Sequence, residues 1–215
     1  IGYGDIGSRL SKILKEHSAN IYAVSRHDSL NQNIIKINWD WLSNNNLELP
    51  RVTFDSVIII PKPSNLDEDG YRDGFISSLE NITNSLQNAD IKSVIAISST
   101  RVYGDHQLGY IDESTLAEPS DFRGNLIKEY ELTLNQSFPE YLNILRFSGL
   151  YIDSSKHSSH NRLNRNTAAK IISFAIDKLS QNKENDIYNC SEDCEILASV
   201  KSVSNKKLKA AGFNF

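Results

Sequence analysis

Ile1-Gly2-Tyr3-Gly4-Asp5-Ile6-Gly7 opens the chain. It is a G-x-G-x-x-G placed where a strand hands over to a helix. Each glycine in such a run has a job. Gly2 permits the tight turn, Gly4 lets the backbone approach a diphosphate, and Gly7 lets the helix pack close to the strand. Asp5 and Ile6 open the helix, and its free N–H groups and positive dipole end suit an anion. The residues that follow give the motif its context. Ile6, Leu10, Ile13 and Leu14 form a helical apolar stripe over a helix at Ile6–His17, and Ile21–Ser25 reads as the next strand.

The end of that second strand bears on which dinucleotide is bound. An NAD site places Asp or Glu roughly 20 residues beyond the glycines to hold the ribose 2′-hydroxyl. Ser25-Arg26-His27 stands there instead. A guanidinium forks onto phosphate oxygens, so Arg26, with the Ser25 hydroxyl beside it, favours NADP(H). Asp28 follows slightly late and keeps NAD(H) as the alternative. A solvated arginine at a strand end is the plain alternative for Arg26.

Working outward, strand-like runs recur at Ile34–Ile37, Ser56–Ile60, Ser93–Ser99, Asn143–Arg146 and Asp186–Tyr188. Helical patterns cover Phe75–Asn88, Asn125–Gln136 and Thr167–Leu179. Val57–Ile60 and Val94–Ile97 are continuous apolar runs, as in strands buried on both faces. The alternation predicts an α/β fold, a doubly wound parallel sheet of Rossmann type. Residues 1–150 are expected to form the dinucleotide-binding domain and residues 151–215 a small C-terminal substrate lobe. Asn44–Asn46 and Ser154–His160 read as polar loops.

With 215 residues and a formal charge of -4, the chain can bury a core and gives no reason to expect nucleic acid. No apolar run has the length of a membrane span and no signal peptide is seen, so a cytoplasmic protein is expected. Cys190 and Cys194 lack His or Cys partners nearby and read as incidental thiols; no metal site is expected. The sequence holds no Met and begins inside its first strand. It is therefore expected to be a piece of a longer protein with residues missing, above all near Ser154–His160 and Glu195–Ser202.

Ser98-Ser99-Thr100-Arg101-Val102-Tyr103-Gly104-Asp105 closes a strand with hydroxyls at its carboxyl end, where open α/β sheets bind ligands. Together with the glycine run, Asp112-Glu113-Ser114, Pro119, Leu145–Tyr151, Asn161–Thr167 and Asn205–Phe213, this block resembles the extended short-chain dehydrogenase/reductases, the NAD(P)-dependent epimerase/dehydratase family. That resemblance covers nearly the whole chain. It implies a nicotinamide cofactor and a hydroxylated small-molecule substrate such as a nucleotide-sugar. The family's acid/base pair is a Tyr with a Lys four residues later. Aligned on Gly124, those positions hold Arg123 and Ile127, and Lys128 stands one residue, about 100° of helix, away.

Among the residues that remain, Ser99 and Thr100 can orient a substrate oxygen, and Tyr103 is the candidate replacement acid/base, with a packing role as its alternative. Arg123, Arg146 and Ser148 are candidate substrate contacts, the arginines for a phosphate or carboxylate, with structural ion pairs as their alternative. An oxidoreductase of epimerase/dehydratase type is the first reading. The second is a non-catalytic NADP(H)-binding sensor or scaffold. The oligomeric state stays open, a homodimer included.

Overall fold

A computed structural model describes residues 1–26, 34–43, 45–153, 160–181 and 184–215. The strands are β1 (Tyr22–Ser25), β2 (Ile35–Asn38), β3 (Thr53–Phe54), β4 (Val57–Ile59), β5 (Asp90–Ile91), β6 (Val94–Ser99), β7 (Gly109–Ile111), β8 (Leu142–Phe147), β9 (Gly149–Tyr151), β10 (Arg162–Asn164), β11 (Asp186–Cys190) and β12 (Lys201–Val203). The α-helices are α1 (Asp5–Glu16), α2 (Glu68–Arg72), α3 (Ser78–Leu86), α4 (Phe122–Ser137), α5 (Arg165–Asp177) and α6 (Lys206–Ala210). A π-helical turn, Asp73–Ser77, joins α2 to α3.

β4, β6, β8 and β11 lie side by side, all parallel, and β1 pairs with β2, also parallel. Ile1–Tyr3 connects the two groups. Gly2 donates its N–H to Val24 O at 3.1 Å on one side, and Ile1 O accepts from Ile60 N–H at 3.0 Å on the other. The lateral order is therefore β2, β1, the opening residues, β4, β6, β8, β11. Moving from the opening run, the chain winds first towards β2 and then, in the opposite direction, towards β11. The glycine turn stands at this reversal, where doubly wound sheets form their ligand crevice.

Period-two burial builds the two core layers. Val94 and Ala96 of β6 join Leu142 and Ile144 of β8 under α3 and α4, with Leu79, Ile82, Tyr130 and Leu134. Ile95 and Ile97 join Leu145 and Phe147 on the opposite face, under Leu10 of α1 and Ile171 and Ile172 of α5. Burial on both faces is why these strands read as continuous apolar runs.

The last third of the chain is divided between layers. β11 forms the outer strand of the main sheet and α5 packs against α1. The remaining short strands form two parallel pairs, β7 with β12 and β9 with β10, while α6 contacts β11 and buries Leu208 in the core layer of α1 and α5. A boundary at 150 therefore does not separate the two layers. Asp28, Asn44, Ser154 and His157 lie outside the described residues. Among the described residues no helix is long and apolar enough to cross a membrane.

Candidate functional site

Gly2 has φ +83°, and a Cβ built there would stand 2.2 Å from Ile60 O. Only glycine accepts both that backbone and that approach. At Gly4 the nearest atom to a built Cβ is Gly2 O at 4.0 Å, so the space over this residue is open. Gly4 is also the N-cap of α1, and no side chain caps it. The first-turn N–H groups of α1, those of Asp5, Ile6 and Gly7, have no intrahelical acceptor. An open glycine, a helix start without a side-chain cap and the topological reversal coincide, and these features fit a dinucleotide diphosphate. Ser25 is half-buried at the end of β1 and Arg26 is exposed directly after it.

The Ser98–Tyr103 strand end is built differently. The Ser99 hydroxyl accepts the Arg101 N–H at 3.2 Å and caps the 3-10 turn Thr100–Tyr103. Thr100 is buried, with its hydroxyl 3.5 Å from that of Ser148, which is also buried. Tyr103 has 0% exposure. Its hydroxyl donates to Asn189 Oδ1 at 2.9 Å and accepts from Arg146 Nη1 at 2.9 Å. Burial raises its pKa, and the Arg146 cation only partly opposes that.

Arg146 is as deeply placed. Its Nε and Nη2 meet Glu131 Oε1 and Oε2 at 2.9 and 2.6 Å, and Ser98 adds its hydroxyl to Glu131 Oε1 at 2.5 Å. Burial works against the Arg146 charge, but the fork onto Glu131 outweighs it and holds the guanidinium cationic.

These contacts correct three expectations. Tyr103 is enclosed with its hydroxyl held between Asn189 and Arg146, which is the packing role named as its alternative rather than the exposed acid/base expected. Arg146 spends its fork on Glu131, the structural ion pair named as its alternative. Ser148 and Thr100 face each other inside the protein, so neither hydroxyl is offered outward. The sequence did carry a sign of Glu131. It lies on α4 in the stripe Ile127, Tyr130, Leu134, and an acid inside an apolar stripe requires a buried partner.

Arg123 remains half-exposed at the start of α4. Its guanidinium lies 5.6 Å from the Tyr71 ring centroid and 5.4 Å from that of Phe122, and Nη2 donates to Leu66 O at 3.2 Å. Its Nε is buried without a partner. Arg101 pairs with Asp121, the N-cap of α4, so the 100–103 turn and the helix start are fastened together.

No protein-family model matches the sequence, and no curated protein matches it. Solved structures do. A protein of Methylobacillus flagellatus described as an NAD-dependent epimerase/dehydratase is 18% identical, with a TM-score of 0.74 over 99% of this chain and 90% of its own. The UDP-N-acetylglucosamine 4-epimerase of Bacillus cereus is 15% identical, with a TM-score of 0.73 over 99% and 91%. MoeE5, solved with UDP-glucuronic acid and NAD, is 15% identical, with a TM-score of 0.73 over 97% and 89%. The fold is that of the NAD-dependent epimerase/dehydratases.

Within an epimerase/dehydratase fold the helix after Pro119 is where the sequence resemblance seeks the acid/base pair. Here that helix is α4. It carries Arg123 in its first turn and the buried Ile127 one turn later. Lys128 donates to Ala117 O at 2.8 Å. Tyr130 is fully buried, and burial raises its pKa well above the usual tyrosine value. Among the described residues no group of His, Cys, Asp and Glu is placed to hold a metal ion.

Proposed function

We propose that the glycine turn binds a nicotinamide dinucleotide and that the protein is an epimerase/dehydratase-like oxidoreductase acting on an anionic, hydroxylated small molecule. One observation carries the cofactor reading. The space over Gly4 is open at the uncapped start of α1, at the reversal of the sheet. Gly2, Gly4, Asp5, Ile6 and Gly7 would supply backbone to the diphosphate. Arg26, with Ser25, would meet a 2′-phosphate, which favours NADP(H) over NAD(H). A bound nicotinamide supplies or accepts hydride.

Arg123 supports the substrate class. It is an aromatic-stacked guanidinium with an unpaired Nε, and it stands where the family resemblance expects the catalytic Tyr. Such a group binds a carboxylate or phosphate and takes no proton at neutral pH. Nucleotide-sugars fit this requirement, in line with the UDP-sugars named for the structural neighbours. Ser99, at the strand end, is the hydroxyl left to orient a substrate oxygen.

Titrating the full chain with NADPH and NADH, then incubating it with NADP+ or NAD+ and a panel of anionic sugars while following both absorbance at 340 nm and the sugar products by NMR, tests both parts. Binding followed by turnover supports the reading, and Arg123→Ala should raise the substrate KM. The burial of Tyr103 favours a second reading, a dinucleotide-binding sensor without turnover. Tight NADPH binding with neither a change of cofactor redox state nor a converted sugar across the panel selects that one.

A further inference from the structure

The N-termini of α1 and α5 stand side by side, and one carboxylate ties them together. Asp5, the first residue of α1, accepts Arg9 Nε on Oδ1 at 3.1 Å and Arg165 Nη1 on Oδ2 at 3.1 Å. Arg165 is the first residue of α5, 160 positions away in the sequence. Arg9 Nη1 also donates to Asn166 Oδ1 in the same turn of α5. The Arg165 Nε is buried without a hydrogen-bond partner.

The charges do not cancel. Two guanidinium groups share one carboxylate, and the positive ends of two helices point the same way. An acidic residue in a helix's first turn is ordinarily a simple stabilising choice. In this turn it stands beside the place where a diphosphate would carry two negative charges, so it works against the ligand unless something offsets it. The two arginines do so, with one positive charge to spare. Arg165 in particular keeps Nε without a partner, and an unpaired buried donor is costly until it finds an acceptor.

We propose that Arg165, with Arg9 beside it, is the second half of the diphosphate grip, and that Asp5 holds the pair in place until phosphate oxygens take over the free donors. This rests on the dinucleotide reading of the glycine turn and deepens it. It makes α5, from the last third of the chain, a cofactor-binding element alongside the opening residues. It also assigns the two kinds of arginine different tasks. Arg26 distinguishes NADPH from NADH, whereas Arg165 sees the diphosphate common to both.

Calorimetric titration of the full chain with NADPH, NADH, ADP and adenosine tests this. Arg165→Ala should weaken NADPH, NADH and ADP alike, by about tenfold or more, as expected for a lost charged hydrogen bond. Adenosine binding should not change. Asp5→Asn should tighten the three diphosphates. The opposite signs are informative because both variants delete the same Asp5–Arg165 ion pair. A purely structural pair would move both variants in the same direction, and adenosine with them. Parent-like NADH and ADP affinity in Arg165→Ala overturns the assignment while leaving the glycine turn intact. Failure of the parent to bind any dinucleotide overturns the glycine-turn reading and this one with it.

Discussion

The glycine turn and the Ser98–Tyr103 strand end both lie at the carboxyl ends of parallel strands and are both rich in polar groups, yet they differ in what satisfies those groups. At the turn, Gly4 faces open space, α1 starts without a side-chain cap, and Arg165 keeps a donor unpaired. At the strand end, Glu131, Arg146, Tyr103 and Ser98 satisfy one another in the interior, and Asn189 Oδ1 takes the Tyr103 hydroxyl while its Nδ2 stays without a partner. A hydroxyl and a cation at the carboxyl end of a strand therefore do not by themselves make an active site. What matters is whether the protein has already supplied their partners. The first region leaves its backbone donors open, as the proposed dinucleotide site requires, and the second fixes β6, β8, β11 and α4 to one another.

Breaking the closed region should give the largest effect. Glu131→Ala leaves the Arg146 guanidinium buried without its acceptor, at a cost of about 3–5 kcal/mol in urea unfolding. A loss below about 1 kcal/mol would mean that the region is wetter than its burial implies. Arg26→Ala probes the open region. It should cost NADPH about 1.5–3 kcal/mol of binding and leave NADH almost unchanged. Equal losses for the two cofactors would remove Arg26 from the 2′-phosphate.

Gly2→Ala combines a forbidden approach to Ile60 O with an unfavourable φ. It should destabilise the fold by roughly 1–3 kcal/mol and weaken dinucleotide binding together. Tyr103→Phe should cost about 1 kcal/mol of stability, since it orphans Asn189 Oδ1. Any turnover should fall by far less than the ~10²–10⁴ that a true acid/base contributes. A drop of that size at unchanged stability would move Tyr103 from the closed region to the open one.

The smallest effect is on the alkaline side. Burial raises the pKa of Tyr103 and of Tyr130. The unfolded chain releases these protons near pH 10, whereas the folded protein retains them. Between the unfolded and folded pKa values the native state binds more protons, so stability should decline as pH rises above about 10. Tyrosine absorbance at 295 nm should then rise together with loss of helix signal. Ionisation that clearly precedes unfolding would show that solvent reaches these hydroxyls in the folded state.

Much of the sheet was legible because its strands are buried on both faces and its helices carry single stripes. Val94–Ser99 and Tyr22–Ser25 fall close to their expected limits. The short pairs β7 with β12 and β9 with β10 were not legible. Strands of three residues leave no period to read, and their partners lie far away in sequence. The glycine turn was readable because backbone conformation dictates residue type there. The fates of Tyr103 and Arg146 were not, since a sequence shows a hydroxyl and a cation but not the partners that enclose them. Arg165 was missed for the opposite reason. Its partner, Asp5, belongs to a motif whose glycines carried the reading.

The pairing of α1 with α5 has a consequence in time. The apolar stripe of Ile6 and Leu10 leaves the ribosome before the helix that covers it, since Ile171 and Ile172 are synthesised some 160 residues later. At about 5–20 residues per second, this stripe waits for roughly 8–30 s. Until then a sticky helix hangs on an unfinished chain, so a nascent-chain chaperone should find its binding site near residue 10. Translation stalled before Arg165 should release a product that aggregates.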